Sequence, residues 1–261
     1  MFPVIFSVGP FSLRTVSVLA VVAILVAAFV FYRKVREEHF SEEEAFDGFL
    51  LSMLLGFLAG RLGFIAANFG SFGWNVWQWF DVISRPGFVG SVGVIAAGWY
   101  LFAFSKKFVD DRFQLIDLWS IAITTGLGIM WVGLFLDGAS AGLPTSLPVG
   151  VTFPGMLEPH LPIQLFSAAF YFILAWFLQW FEYRYRTFAW YRSGKTSAQS
   201  GFLISVTIIA SSLWYLILSW VRAPQFVVYG LPIEAGIAVL GLLYGIGLLF
   251  IRSGRTFWIW K

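Results

Sequence analysis

The chain has 261 residues, 59% of them hydrophobic and only 12% charged, with a mean hydropathy of +0.81. Soluble domains carry about a quarter charged residues, so the deficit excludes an ordinary water-soluble domain and points to lipid. With no cysteine there is no disulfide framework, thiolate nucleophile or thiolate metal site, and two histidines, His39 and His160, give no spacing for another metal site.

A helix needs about 20 apolar residues to cross the hydrocarbon core. Seven runs meet that need, at about 15–32, 46–66, 87–105, 115–136, 161–181, 201–221 and 231–251. The residues ahead of the first run are not basic and more runs follow, so it reads as an anchor rather than a signal peptide. Ser41 with Glu44, ahead of the second run, has the spacing of a capping box. FGWNVWQWF (72–80) places Trp74, Trp77 and Trp79 between runs, as an interfacial segment would. Gly56/Gly60 and Gly241/Gly245 fit close helix–helix contact. No internal repeat or long linker divides residues 1–261, which predicts a single polytopic domain.

The loops set the orientation. Arg33, Lys34 and Arg36 follow the first run, and Lys106, Lys107 and Arg112 the third. Arg184, Arg186, Arg192 and Lys195 follow the fifth, and Arg252, Arg255 and Lys261 the seventh. That places 13 of the 17 basic residues on one side, which the positive-inside rule makes cytoplasmic. The expected fold is an all-α integral membrane protein with seven transmembrane helices, N-terminus out and C-terminus in, and a small outer-face loop region. The aromatic and basic stretch WFEYRYRTFAWYR (180–192) reads as an interfacial belt on anionic headgroups rather than a nucleic-acid site.

Ionisable residues within the runs are the first candidates for chemistry, because a charge in lipid is costly. They are Arg61, Asp117, Asp137 and Glu234. Asp117 and Glu234 sit near helix starts, where a carboxylate complements the dipole. Arg61, in GRLGF, must snorkel, pair with an acid or hold an anion such as a lipid headgroup. His160 follows Glu158 in MLEPHLP; the pair is either a general base with its orienting acid or an ordinary loop histidine between prolines. Asp137 lies in WVGLFLDGASAG (131–142), where a long apolar run ends among Gly133, Gly138 and Gly142 with no basic neighbour.

The ordered set of these features resembles one family, the bacterial prolipoprotein diacylglyceryl transferases. The family signature reads Gly-Arg-x-Gly-Asn-Phe-x-Asn-Gly-Glu-x-x-Gly. WVGLFLDGASAG aligns with it without a gap: Gly133, Phe135, Gly138 and Gly142 match, and Asp137 stands where the family has asparagine. PVIFSVGP (3–10) is similar to the family's outer N-terminal segment, and Gly60, Arg61 and Gly63 to its Gly-Arg motif in span 2. Phe113, Gln114 and Asp117 resemble the start of its span 4, and Pro162, Gln164 and Leu165 that of its span 5. Arg222 and Pro224 resemble the end of its span 6.

The resemblance implies a multi-pass protein of the bacterial cytoplasmic membrane that works without a cofactor. Its partners would be an anionic, phosphatidylglycerol-like phospholipid and lipobox-bearing precursor proteins, with no nucleic acid. The family reaction moves diacylglyceryl from phosphatidylglycerol to a lipobox cysteine, with glycerol-1-phosphate leaving. Such a reaction asks for a base to unmask the thiolate and cations to hold the phosphate. The family's arginines fall on Trp131 and Tyr215, and its first signature asparagine on Leu134. Its histidines fall on Val89 and Leu161, its glutamates on Ala139 and Ser167, and a first-span tyrosine on Val16. A tryptophan offers one neutral donor where an arginine offers a charged fork. The implied reading is a catalytically impaired or divergent relative that keeps a phospholipid site with Arg61, Arg222 and Asp137. Two alternatives stand beside it. One is an active transferase with a rebuilt site, in which Arg61 and Arg222 hold phosphate and His160 with Glu158 acts as base, Asp137 being a further catalytic candidate. The other is a structural or partner-binding membrane protein.

Overall fold

The computed structural model describes residues 3–8, 11–82, 84–185, 199–222, 227–228 and 231–253. Residues 186–192 of the aromatic and basic stretch therefore lie outside the described residues, as do Lys195, Pro224, Arg255 and Lys261. Strand β1 (Val4–Val8) pairs antiparallel with β2 (Phe11–Arg14) and leads into α1 (Thr15–Glu37). There follow α2 (Glu42–Ala67), the short α3 (Phe69–Phe72) and α4 (Val76–Phe80), and α5 (Gly90–Phe104). After a 3-10 turn at Ser105–Lys107 come α6 (Arg112–Asp137), α7 (Ile163–Tyr185) and α8 (Phe202–Val221). A minimal hairpin of β3 (Val227–Val228) and β4 (Leu231–Pro232) precedes α9 (Ile233–Arg252).

Each apolar run has thus become a helix. Among the described residues six of them, α1, α2, α6, α7, α8 and α9, are long and apolar enough to cross a membrane. The run at 87–105 folds as α5, whose 15 residues span about 22 Å at 1.5 Å per residue, less than a hydrocarbon core of about 30 Å. Several helices outrun their apolar stretch by a charged turn. α1 continues to Glu37, which accepts from Arg33 at 3.0 Å and Lys34 at 2.8 Å. Ser41 does stand at the N-cap of α2, but its side chain makes no capping bond. The unpaired N–H groups there meet the charge of Glu42, Glu43 and Glu44 in the first turn instead.

The chain forms two compact units, one of Met1–Phe31 with Asp117–Lys261 and one of Tyr32–Ile116. In the 32–116 unit, α2 and α5 meet through glycine. A Cβ on Gly56 would stand 2.8 Å from the Gly93 carbonyl oxygen, and one on Gly93 would stand 2.8 Å from that of Gly56. Gly60 faces the Val89 carbonyl in the same seam at 3.3 Å. Van der Waals packing is what holds helices together in lipid, so backbones that touch replace the hydrophobic drive available in water.

In the larger unit, α6 lies on α1 through Gly126, which faces Ala23 and Ala27, and Gly133, which faces Leu19 and Val16. Helix α9 lies on α8 through Gly241 over Ser212 and Gly245 over Ile208 and Ile209. The core joins α6, α7 and α8 around Ile121, Trp131, Ala168, Tyr171, Leu178 and Leu203. At one end of the unit, Asp117 of α6 is fully buried and accepts from the backbone N–H groups of Gly201 (2.7 Å) and Ile204 (2.9 Å). Gly201 is the N-cap of α8 and has no side chain to cap with. Asp117 therefore serves a helix dipole, but that of α8 rather than that of its own helix.

The glycine seam yields a paired test. Gly56→Ala pushes a methyl into backbone and lowers stability in detergent by about 1–3 kcal/mol. Gly63→Ala meets only Val92, at an ordinary 3.4 Å, and leaves the melting temperature within a degree or two or raises it, because alanine favours helix by about 1 kcal/mol. Thermal unfolding of the two purified variants checks the contrast.

Candidate functional site

The stretch that ends α6 is built backbone first. Gly138 has φ +78°, a left-handed conformation, and its N–H donates to Phe135 at 3.1 Å while Ala139 N–H donates to Leu134 at 3.0 Å. These two bonds form a Schellman motif, which stops the helix and favours glycine at that position. Gly142 is needed for a different reason. A Cβ there would lie 2.8 Å from the Leu161 carbonyl oxygen, and the Gly142 N–H donates to that same oxygen at 3.0 Å. The loop 138–162 is then laced to itself, with Leu161 N–H to Leu143, Thr145 N–H to Pro159, and Val151 and His160 exchanging bonds at 2.9 Å. Leu143 N–H also donates to Val221 at the end of α8, at 2.8 Å.

Asp137 is held at the helix end by Arg14. The guanidinium donates from Nε to Oδ1 at 3.1 Å and from a terminal nitrogen to Oδ2 at 2.5 Å, a two-pronged ion pair across 123 residues of sequence. The partners differ in setting, with the Asp137 side chain 1% exposed and that of Arg14 47% exposed. Behind Asp137, the buried Gln164 donates from Nε2 to the Ala139 carbonyl at 2.7 Å. Arg222, at the C-cap of α8, reaches Ser140 Oγ at a long 3.4 Å. The structure therefore brings Arg14, Asp137, Ser140, Gln164 and Arg222 to one end of one unit.

Several further residues near this end and in the other unit are engaged within the chain. Trp131 belongs to the core, and Leu134 and Leu161 pack against it. Ser167 is buried and accepts from Trp214 Nε1 at 3.0 Å. The Tyr171 hydroxyl is hydrogen-bonded to Ser211 and to Tyr215. Val89 is the N-cap of α5, its N–H donating to Gly60 at 3.0 Å.

Arg61 belongs to the 32–116 unit and is buried. Its Nε donates to Trp79 (3.0 Å), one terminal nitrogen to Arg85 (2.8 Å) and Gly87 (3.1 Å), and the other to Asp81 (3.1 Å), all backbone carbonyls. The rings of Phe64, Phe72 and Phe88 lie 5.4–5.9 Å from the guanidinium carbon. Four of its five N–H donors thus tie down the 79–87 segment. That segment follows α4, whose Trp77 and Phe80 are exposed, as is Trp74 just before it. His160 sits on the 138–162 loop, where its Nδ1 bonds the Glu158 backbone carbonyl at 2.8 Å; the link between the two residues does not use the carboxylate.

Six apolar helices, backbone-to-backbone seams and a glycine-shaped loop over the ends of α6, α7 and α8 define a multi-pass membrane protein with a polar site at one end of its helices. The sequence pattern of the prolipoprotein diacylglyceryl transferases matches residues 3–251, and the chain belongs to that family. It is similar to phosphatidylglycerol–prolipoprotein diacylglyceryl transferases of Clostridium tetani, at 24% identity over 94% of this chain and 96% of the relative. The protein of the same description from Desulfotalea psychrophila is 26% identical over 99% and 93%, and that from Campylobacter curvus 26% over 94% and 91%.

The unequal burial of the Arg14–Asp137 pair makes its two halves unequal to mutation. Arg14→Gln strands a buried carboxylate and costs about 3 kcal/mol, near the low end for breaking a buried pair. Asp137→Asn leaves a half-exposed guanidinium free to reach water and costs about 1 kcal/mol. Unfolding of both variants in detergent measures the difference. Arg61→Lys supplies three rotating donors where four carbonyls must be met, so hydrogen exchange of residues 79–87 rises by about tenfold or more.

Proposed function

We propose that this protein holds a phospholipid at the outer face of the bacterial cytoplasmic membrane without performing the diacylglyceryl transfer of its family. The observation that carries this reading is the fate of the two arginine positions. Trp131 is packed into the core and Tyr215 is bonded to Tyr171, so neither offers the charged fork that a departing glycerol phosphate needs. The base positions are as bare, since Ala139, Leu161 and Val89 carry only hydrocarbon. Removing one preorganised donor costs about 10²–10³ in rate, and several are missing together.

The phospholipid part of the reading rests on what the site retains. Arg222 is partly exposed beside Ser140 and takes the phosphate. Asp137 and Arg61 act at one remove, Asp137 by fixing the end of α6 and Arg61 by fixing the 79–87 segment. The topology is N-terminus out and C-terminus in, supported by the basic residues at the ends of α1 and α9. Lipobox-bearing precursors are the protein partners that family membership supports.

The decisive assay supplies phosphatidylglycerol and a lipobox peptide to the full chain in detergent. No lipidated peptide forms above the protein-free control, and cells depleted of their own transferase are not rescued at ordinary expression. Turnover that His160→Ala abolishes would replace this reading with a rebuilt active site. Arg222→Gln lowers co-purified phospholipid by about tenfold, the weight of one charged hydrogen bond, as read by extraction and mass spectrometry.

A further inference from the structure

The seam between α8 and α9 runs toward two charged residues, Glu234 in the first turn of α9 and Arg222 at the C-cap of α8. Gly241 stands over Ser212 and Gly245 over Ile208 and Ile209, an antiparallel register. Carried to the first turn of α9, that register sets Glu234 level with Ser219, with Tyr215 one turn to one side and Arg222 one turn to the other. Tyr215 lies within electrostatic reach of both charges. Its hydroxyl is hydrogen-bonded to that of Tyr171. Among the described residues Glu234 has no hydrogen-bond or ion-pair partner, and the contact of Arg222 is the 3.4 Å one to Ser140.

Counting charges at these helix ends decides what the site prefers. Arg14 is spent on Asp137. Among the described residues of α8 and α9 at this end, what remains is one cation, Arg222, and one anion, Glu234, which lies along the seam between Arg222 and Tyr215. An anionic headgroup with a neutral tip would satisfy Arg222 but bring its phosphate near an unmatched carboxylate. A headgroup with a phosphate and an ammonium satisfies both, and the tyrosine ring adds a face suited to a cation. We propose that the lipid held here is a zwitterionic, amine-bearing phospholipid, with Arg222 on its phosphate and Glu234 on its ammonium. This inference rests on the lipid-holding reading above and replaces the anionic headgroup implied by resemblance.

The test incubates the full chain in detergent with equal amounts of phosphatidylethanolamine and phosphatidylglycerol and reads retained lipid by native mass spectrometry. Wild-type protein retains the ethanolamine lipid over the glycerol lipid by about tenfold. Glu234→Gln brings that ratio near one by lowering retention of the ethanolamine lipid about tenfold while the glycerol lipid is retained as before, and Glu234→Asp keeps the ratio, which separates charge from fold. Soluble glycerophosphoethanolamine in equal amount does not displace the lipid, because the acyl chains add their own burial. A preference for the glycerol lipid, a ratio indifferent to Glu234→Gln, or displacement by the soluble compound overturns the inference. If wild-type protein retains neither lipid, the lipid-holding reading falls as well; if it retains the glycerol lipid alone, that reading stands and only the headgroup assignment fails.

Discussion

Inside a bilayer no water is available to finish an incomplete hydrogen bond, so polar groups that the chain carries into the hydrocarbon must be satisfied by the chain itself. Three buried charges show how this is done, each with a different partner. Arg61 takes four backbone carbonyls of one segment. Asp117 takes two backbone N–H groups at the start of α8. Asp137 takes the guanidinium of Arg14. Each bond set ties a helix to an element remote in sequence, so the demand for satisfaction also fixes how the elements are arranged within each unit. The glycine seams serve the same end, since they let helices approach until packing alone suffices.

The signature stretch 131–142 separates two kinds of inheritance. Its glycines at 133, 138 and 142 each answer a steric need: contact with α1, a left-handed stop to α6, and close passage beneath Leu161. Its side chains at 131 and 134 pack in the core, and the Ala139 backbone carbonyl accepts from Gln164. The backbone path of the stretch is thus set by its glycines, whatever its side chains do. Asp137 fits this picture as a structural acid whose charge is already met.

Much of the fold was legible in the sequence because lipid imposes a one-dimensional rule, about 20 apolar residues per crossing. The seven apolar runs all became helices, and the small residues at Gly56, Gly60, Gly241 and Gly245 do lie at helix contacts. What could not be read were pairings between distant positions. Arg14 and Asp137 are 123 residues apart, and Asp117 is 84 from Gly201, with nothing local to link them. Arg61 was harder still, because backbone carbonyls leave no mark on the sequence. Tyr215 stands out in the sequence only as the position on which a family arginine falls, and its bond to Tyr171 could not be read from the sequence. One signal was available and missed: Gly201 opens α8 without a capping side chain, which calls for a cap from elsewhere.

The Arg14–Asp137 pair also bears on how the chain is assembled. Synthesis runs from the N-terminus, so the hairpin carrying Arg14 exists before α6 is made. When the end of α6 arrives, the partner of its carboxylate has already been synthesised. Arg14 meanwhile waits at little cost, because almost half of its side chain faces outward even in the finished protein. The exposed partner comes first and the buried one second, an order that lets vectorial insertion proceed without a stranded ion.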